Sequence, residues 1–129
     1  MTPIRRRLRA GFTLIELLVV MAILALLLSI AAPRYFDSVD RAKETALRTD
    51  LRLLREAIDK YQGDRGQLPD SLQRLVEFRY IRAVPVDPVT DSAGDWVVVP
   101  HPDGVTAGVY DVKSGAPGIA RDGSSFAGW

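Results

Sequence analysis

The chain contains no cysteine and only one histidine, His101. Without cysteine, an exported domain must hold together with no disulfide, and neither a thiol nucleophile nor a thiolate metal site can be built. A single histidine excludes a paired-histidine zinc site, and His101 stands between Pro100 and Pro102 as an exposed loop residue would. There is no glycine-rich loop ending in Lys-Ser or Lys-Thr to cradle phosphate. Asp87, Asp91 and Asp95, or Asp111 and Asp122, lack the spacing of an EF-hand loop, so turn formation and strand-end solvation are their simpler roles. No internal repeat or low-complexity segment is present. The chain has 129 residues, and after its N-terminal apolar stretch it has room for one small domain. A deep catalytic cleft is not expected, and the chain reads as a non-enzyme.

Charge is present but unevenly placed. Of 17 basic residues, Arg5, Arg6, Arg7 and Arg9 crowd the N-terminus; the other 13 face 16 acidic residues, which leaves the rest of the chain at −3. An acidic remainder gives no nucleic-acid-binding face. The arginine cluster sets topology instead: by the positive-inside rule the N-terminus stays cytoplasmic and everything after Pro33 lies outside. Between them runs an apolar stretch from Phe12 to Ala32, 21 residues. As a helix it would be about 31 Å long, the thickness of a bilayer's hydrocarbon core. An ordinary secretory signal peptide is the competing reading. It fits poorly, because the run exceeds the usual length of roughly 7 to 15 residues, and Pro33 would follow the Ala31-Ala32 cleavage site.

Glu16 is the anomaly in this span. An isolated carboxylate there costs about 2.5 kcal/mol or more, so it needs a partner unless it is solvated at the cytoplasmic interface about one turn away.

Pro33 predicts a kink or a loosened turn. Beyond it Phe36, Val39, Ala42, Ala46, Leu47, Leu51, Leu54, Ile58 and Tyr61 recur at three- and four-residue steps. They predict a long amphipathic helix that ends at Gly63 and Gly66 and covers a sheet. Asp70 and Gln73 resemble a capping box opening a short second helix through Leu72, Leu75 and Val76. The segment from Val84 to Thr90 reads as an extended turn-forming connection. Strands are expected over Asp95–Val99 and Gly108–Ser114, paired antiparallel, with Trp96, Val98, Val109 or Tyr110, and Val112 available to face the long helix. Phe126 and Trp129 are candidate anchors for the Gly- and Ser-rich tail.

The residues Gly11-Phe12-Thr13-Leu14-Ile15-Glu16, with a basic leader before them and an apolar span and Pro33 after, closely resemble the signal of type IV prepilins and type II secretion pseudopilins. The resemblance implies that residues 1–11 are a leader removed by prepilin peptidase between Gly11 and Phe12, and that Phe12 becomes the N-methylated terminus. Residues 12–33 would then be the transmembrane and filament-core helix, and 34–129 a periplasmic pilin-like domain. Glu16 would pair with the terminal amine of a neighbouring subunit, directing assembly of a homopolymer.

After Pro33 the chain is similar to the major, protein G-like branch of the pseudopilins. That implies an α+β pilin-like fold and an inner-membrane subunit of a periplasmic pseudopilus that drives export across the outer membrane, with a secretion platform and minor pseudopilins as partners. The alternative is a type IV pilin for adhesion, motility or DNA uptake, but such pilins commonly close their C-terminal region with a disulfide. The major branch commonly has a calcium-binding loop near the C-terminus with more than one acidic ligand. The corresponding tail here departs from that, offering only Asp122, with Ser124 and backbone oxygens, beside Arg121, so a calcium-independent relative is the alternative.

Overall fold

The computed structural model describes residues 10–129, so Arg5 to Arg9 and the topology they encode lie outside the described residues. The elements are α1 (Leu14–Arg65), α2 (Leu72–Glu77), β1 (Val97–Val99), β2 (Asp111–Lys113) and a closing 3-10 turn at Phe126–Gly128. This is the expected α+β, pilin-like arrangement. The chain divides into two compact units, and the boundary between Ser38 and Val39 falls inside α1.

In the first unit Thr13 precedes the helix, and its Oγ1 accepts the Glu16 amide at 3.1 Å. That bond satisfies one of the amide donors that every helix start leaves open. From Leu14 to Ile30 the large apolar side chains are all exposed. This part of α1 is long and apolar enough to cross a membrane, and none of it is buried within the chain. The helix passes through Pro33 without interruption, so the proline removes one hydrogen-bond donor and does not end the element.

In the second unit the buried face of α1 is Leu47, Leu51, Leu54, Ala57, Ile58 and Tyr61, at helical spacing. Burial begins later than the apolar stripe does: Phe36, Ala42 and Ala46 stay exposed and Val39 is half-buried. Gly63 lies within the helix, contrary to its expected role as a stop. The helix closes at Arg65, with Gly66 at φ 70° donating its amide to the Gln62 carbonyl at 2.8 Å. Glycine takes this left-handed position at no steric cost.

Buried Leu68 and Pro69 lead into α2, which seats Leu72 and Leu75 in the core. The expected Asp70–Gln73 capping box does not form. The N-cap is Ser71, in extended backbone and without a side-chain cap, because the helix starts one residue later than that pattern requires. At the other end Arg79, at φ 62°, turns the chain, and the amides of Arg79 and Tyr80 reach back to the carbonyls of Val76 and Leu75 at 3.0 and 2.9 Å.

β1 and β2 pair antiparallel with Val98 opposite Val112. Both strands are shorter than expected, and only part of the expected inward set is buried. Trp96, Val109 and Val112 are in the core, whereas Val98 and Tyr110 are about half exposed. The Tyr110 ring meets His101 edge-on at 4.7 Å, and Val98 borders an open groove beside Ser71 and Leu72.

Fixing this ribbon to the rest of the unit is the work of polar groups. Arg55 on α1 donates to Asp111 Oδ1 at 2.8 Å and to the Val112 carbonyl at 2.9 Å. Asp87 is fully buried; its Oδ1 accepts the amides of Val89 and Thr90 at 2.8 and 3.3 Å, and its Oδ2 accepts the Ser114 hydroxyl at 2.7 Å. The Trp96 indole donates to the Pro85 carbonyl at 2.8 Å. Just past β2, a Cβ on Gly115 would stand 2.0 Å from the Asp95 carbonyl oxygen, so only glycine allows this close approach.

Burial raises the Asp50 carboxyl above its ordinary range, and the charge of Asp87 adds to the shift. Replacing Asp87 with Ala orphans two amides and a hydroxyl and should cost about 3 kcal/mol in denaturant unfolding of the full chain in detergent. The same change should lower the Asp50 pKa, readable by carboxyl NMR, because one of the two causes of its rise is gone.

Candidate functional site

Gly11 and Phe12 lie just outside α1 in irregular backbone, and Phe12 is 85% exposed. A Cβ on Gly11 would meet nothing within 4 Å, and Gly11 has no positive φ. Among the described residues, nothing in the packing or backbone requires glycine here. Gly11 and Phe12 precede the helix, and Glu16 is its third residue. The Glu16 carboxylate is exposed in the first turn, where the helix dipole favours an acid, and has no hydrogen-bond or ion-pair partner among the described residues. Thr13 caps the start of this helix. Its signal was legible, since Thr13-x-x-Glu16 is the spacing of a capping box, of which the threonine half forms.

The second set of site residues lies in the C-terminal loop. Asp122 Oδ1 accepts the Ser124 amide at 2.9 Å and, through a short hydrogen bond, the Ser124 hydroxyl. Asp122 Oδ2 takes an Arg48 guanidinium nitrogen at 3.0 Å. The Ser124 oxygen in turn accepts the Trp129 indole N–H at 2.7 Å. His101 lies elsewhere, half-buried in its own loop, with Nδ1 accepting the Asp103 amide at 3.2 Å. Asp103 accepts the Val105 and Thr106 amides and the Thr106 hydroxyl, which hold its carboxyl well below the usual range. These bonds fold the loop back on itself.

Residues 6–32 match the family model of the prokaryotic N-terminal methylation motif. Type II secretion system core protein G of Klebsiella michiganensis is 31% identical over 135 residues, spanning 92% of this chain and 93% of that protein. The chain belongs to the type II secretion system core protein G family. The protein of that name from Pseudomonas aeruginosa is 31% identical over 100 residues, 65% of this chain and 70% of its own length. Fimbrial protein EcpC of Eikenella corrodens is 30% identical over 124 residues, 92% of this chain and 80% of its own length. No solved structure gives a significant match.

Membership in the core protein G family raises the question of calcium in the C-terminal loop. The donor set does not fit that ion, which takes six to eight oxygens with several carboxylates among them. Both Asp122 oxygens and the Ser124 hydroxyl are engaged, the Ala120 carbonyl accepts the Gly123 amide, and the Ser124 carbonyl accepts the Ala120 amide. Among the described residues no three acidic, histidine or cysteine side chains gather as ligands.

The Ser124 hydroxyl and amide, ahead of Arg48, hold the Asp122 carboxyl below its ordinary range. A depressed folded pKa means that this contribution is present above the unfolded value and is lost as pH falls through the folded one. Carboxyl NMR titration should place Asp122 below the ordinary aspartate value of about 3.9. Ser124→Ala should raise it further than Arg48→Gln does.

Proposed function

We propose that the chain is a structural subunit of a type II secretion pseudopilus. In this reading prepilin peptidase cuts between Gly11 and Phe12 and methylates the Phe12 amine. The first half of α1 then anchors the subunit in the inner membrane as a single pass, up to about Pro33, with residues 34–129 on the periplasmic side. Extraction and polymerisation into a homopolymer, on an inner-membrane platform and with minor pseudopilins, would drive folded proteins across the outer membrane.

One observation carries the reading: an apolar half-helix that none of the described residues buries, holding a single carboxylate without a partner among them. Lipid covers such a surface before assembly, and neighbouring helices of the same kind replace the lipid afterwards with little change in solvation. The carboxylate then has a partner of the right charge in the terminal amine of the next subunit. The role is structural and calls on no catalytic group.

The similarity to a fimbrial protein supports a second reading, a pilus subunit acting in attachment, motility or DNA uptake. Deleting the chain separates the two: loss of exoprotein release with surface motility retained supports the pseudopilus, and the converse supports the pilus.

Mass spectrometry of the mature protein should find an N-methylated Phe12, and Gly11→Val should leave the leader attached. Normal processing of that variant would refute the cleavage assignment. Glu16→Val should insert and be processed but leave the neighbour's amine unpaired in an apolar core, a loss of about 3 to 5 kcal/mol. Crosslinking in cells should therefore show filaments reduced by about a hundredfold or more, and wild-type filament levels would remove Glu16 from the assembly mechanism.

A further inference from the structure

Arg48, Asp122, Ser124 and Trp129 close a ring of side chains between α1 and the C-terminal loop. The Trp129 indole N–H donates to Ser124 Oγ, the Ser124 hydroxyl donates to Asp122 Oδ1, and Asp122 Oδ2 accepts Arg48. The ring is completed by the Arg48 guanidinium, whose carbon lies 4.0 Å from the centre of the Trp129 ring. One turn earlier on α1, Glu44 Oε1 accepts the Arg121 amide at 2.8 Å.

We propose that Arg48 is the built-in cation of the loop from Gly118 to Trp129, holding it closed on α1 where a divalent ion would otherwise be needed. Asp122 is the one acidic side chain in this loop, and the Arg48 guanidinium meets it from α1 while offering a flat face to the indole. Calcium at Asp122 would have to displace the two hydrogen bonds that its Oδ1 accepts from Ser124, or Arg48 from its Oδ2.

Exposed ion pairs are usually weak because two mobile side chains must be immobilised. Here most of the ordering is done by other contacts. Two Ser124 donors fix Asp122, and Trp129 packs edge-on against buried Phe126 with ring centres 5.1 Å apart. The same device recurs seven residues along α1, where Arg55 joins Asp111 and the Val112 carbonyl. Two arginines two helical turns apart therefore tie down two separate C-terminal segments.

Amide hydrogen exchange of the full chain in detergent micelles tests this, read at Ala120, Gly123, Ser124 and Phe126, whose amides are all donated within the loop. In the wild type, loop exchange should be the same in millimolar calcium and in excess EDTA. Arg48→Gln should speed it by about two- to fivefold, the range for an exposed pair, and Arg48→Lys, which keeps the charge but loses the flat face, should lie between. The Leu54 amide in the core should not change.

Three results would overturn the proposal: calcium-dependent protection in the wild type, Arg48→Gln indistinguishable from wild type, or equal acceleration at Leu54, which would make Arg48 a general stabiliser. The measurement needs no filament, so its failure is separable from failure of the pseudopilus reading.

Discussion

A ribbon of two strands with three residues each has no stability of its own in water. Everything after Arg65 therefore depends on the apolar face of α1 between Leu47 and Tyr61, which supplies the surface the ribbon, α2 and the tail all bury against. With so little regular structure on the far side, polar side chains take over the ordering that a larger sheet would provide. Arg55 fixes the ribbon, buried Asp87 joins the proline-rich turn to the end of β2, and Arg48 with Glu44 holds the closing loop. The helix is thus a scaffold in two senses, with an apolar stripe for the core and charged positions beside it for the loops.

The first half of the same helix obeys a different rule. Its apolar residues are spread around the whole circumference, so no single neighbour could cover them, and none of the described residues does. One continuous backbone therefore carries two kinds of surface: a lateral stripe that is satisfied within the chain and an all-round coat that calls for lipid or other helices.

The elements easiest to read from the amino-acid sequence were those fixed by local patterning. The apolar helix that begins at Leu14 and the stripe from Leu47 to Tyr61 follow from spacing, and the antiparallel pairing of two short strands from the turn residues between them. Element ends were less legible, because they depend on which residue the tertiary structure selects as a cap. Ser71 replaces Asp70 and Gly66 replaces Gly63 for that reason. Strand faces were legible only where something packs on them, so Val112 followed the pattern and Val98 did not. Least legible were the long-range polar pairs. Nothing in the spacing of Arg48 and Asp122, or of Asp87 and Ser114, marks them as neighbours, and Asp87 looks like an ordinary turn residue until the fold buries it. At the N-terminus only Glu16 breaks the pattern of an otherwise plain span; Gly11 and Phe12 were marked by resemblance to the prepilin signal, and Thr13 merely starts the helix well.

That threonine has a consequence for maturation. The first helical hydrogen bonds begin at Thr13, through its Oγ1 to Glu16 and its carbonyl to Leu17, and none of them involves Gly11 or Phe12. A cut between those two residues would leave every rung of the helix in place. Maturation would then be a change of end group, exposing a cationic terminus and shedding bulk from a helix that is already wound, with no refolding step between the stored subunit and the form ready to join a polymer.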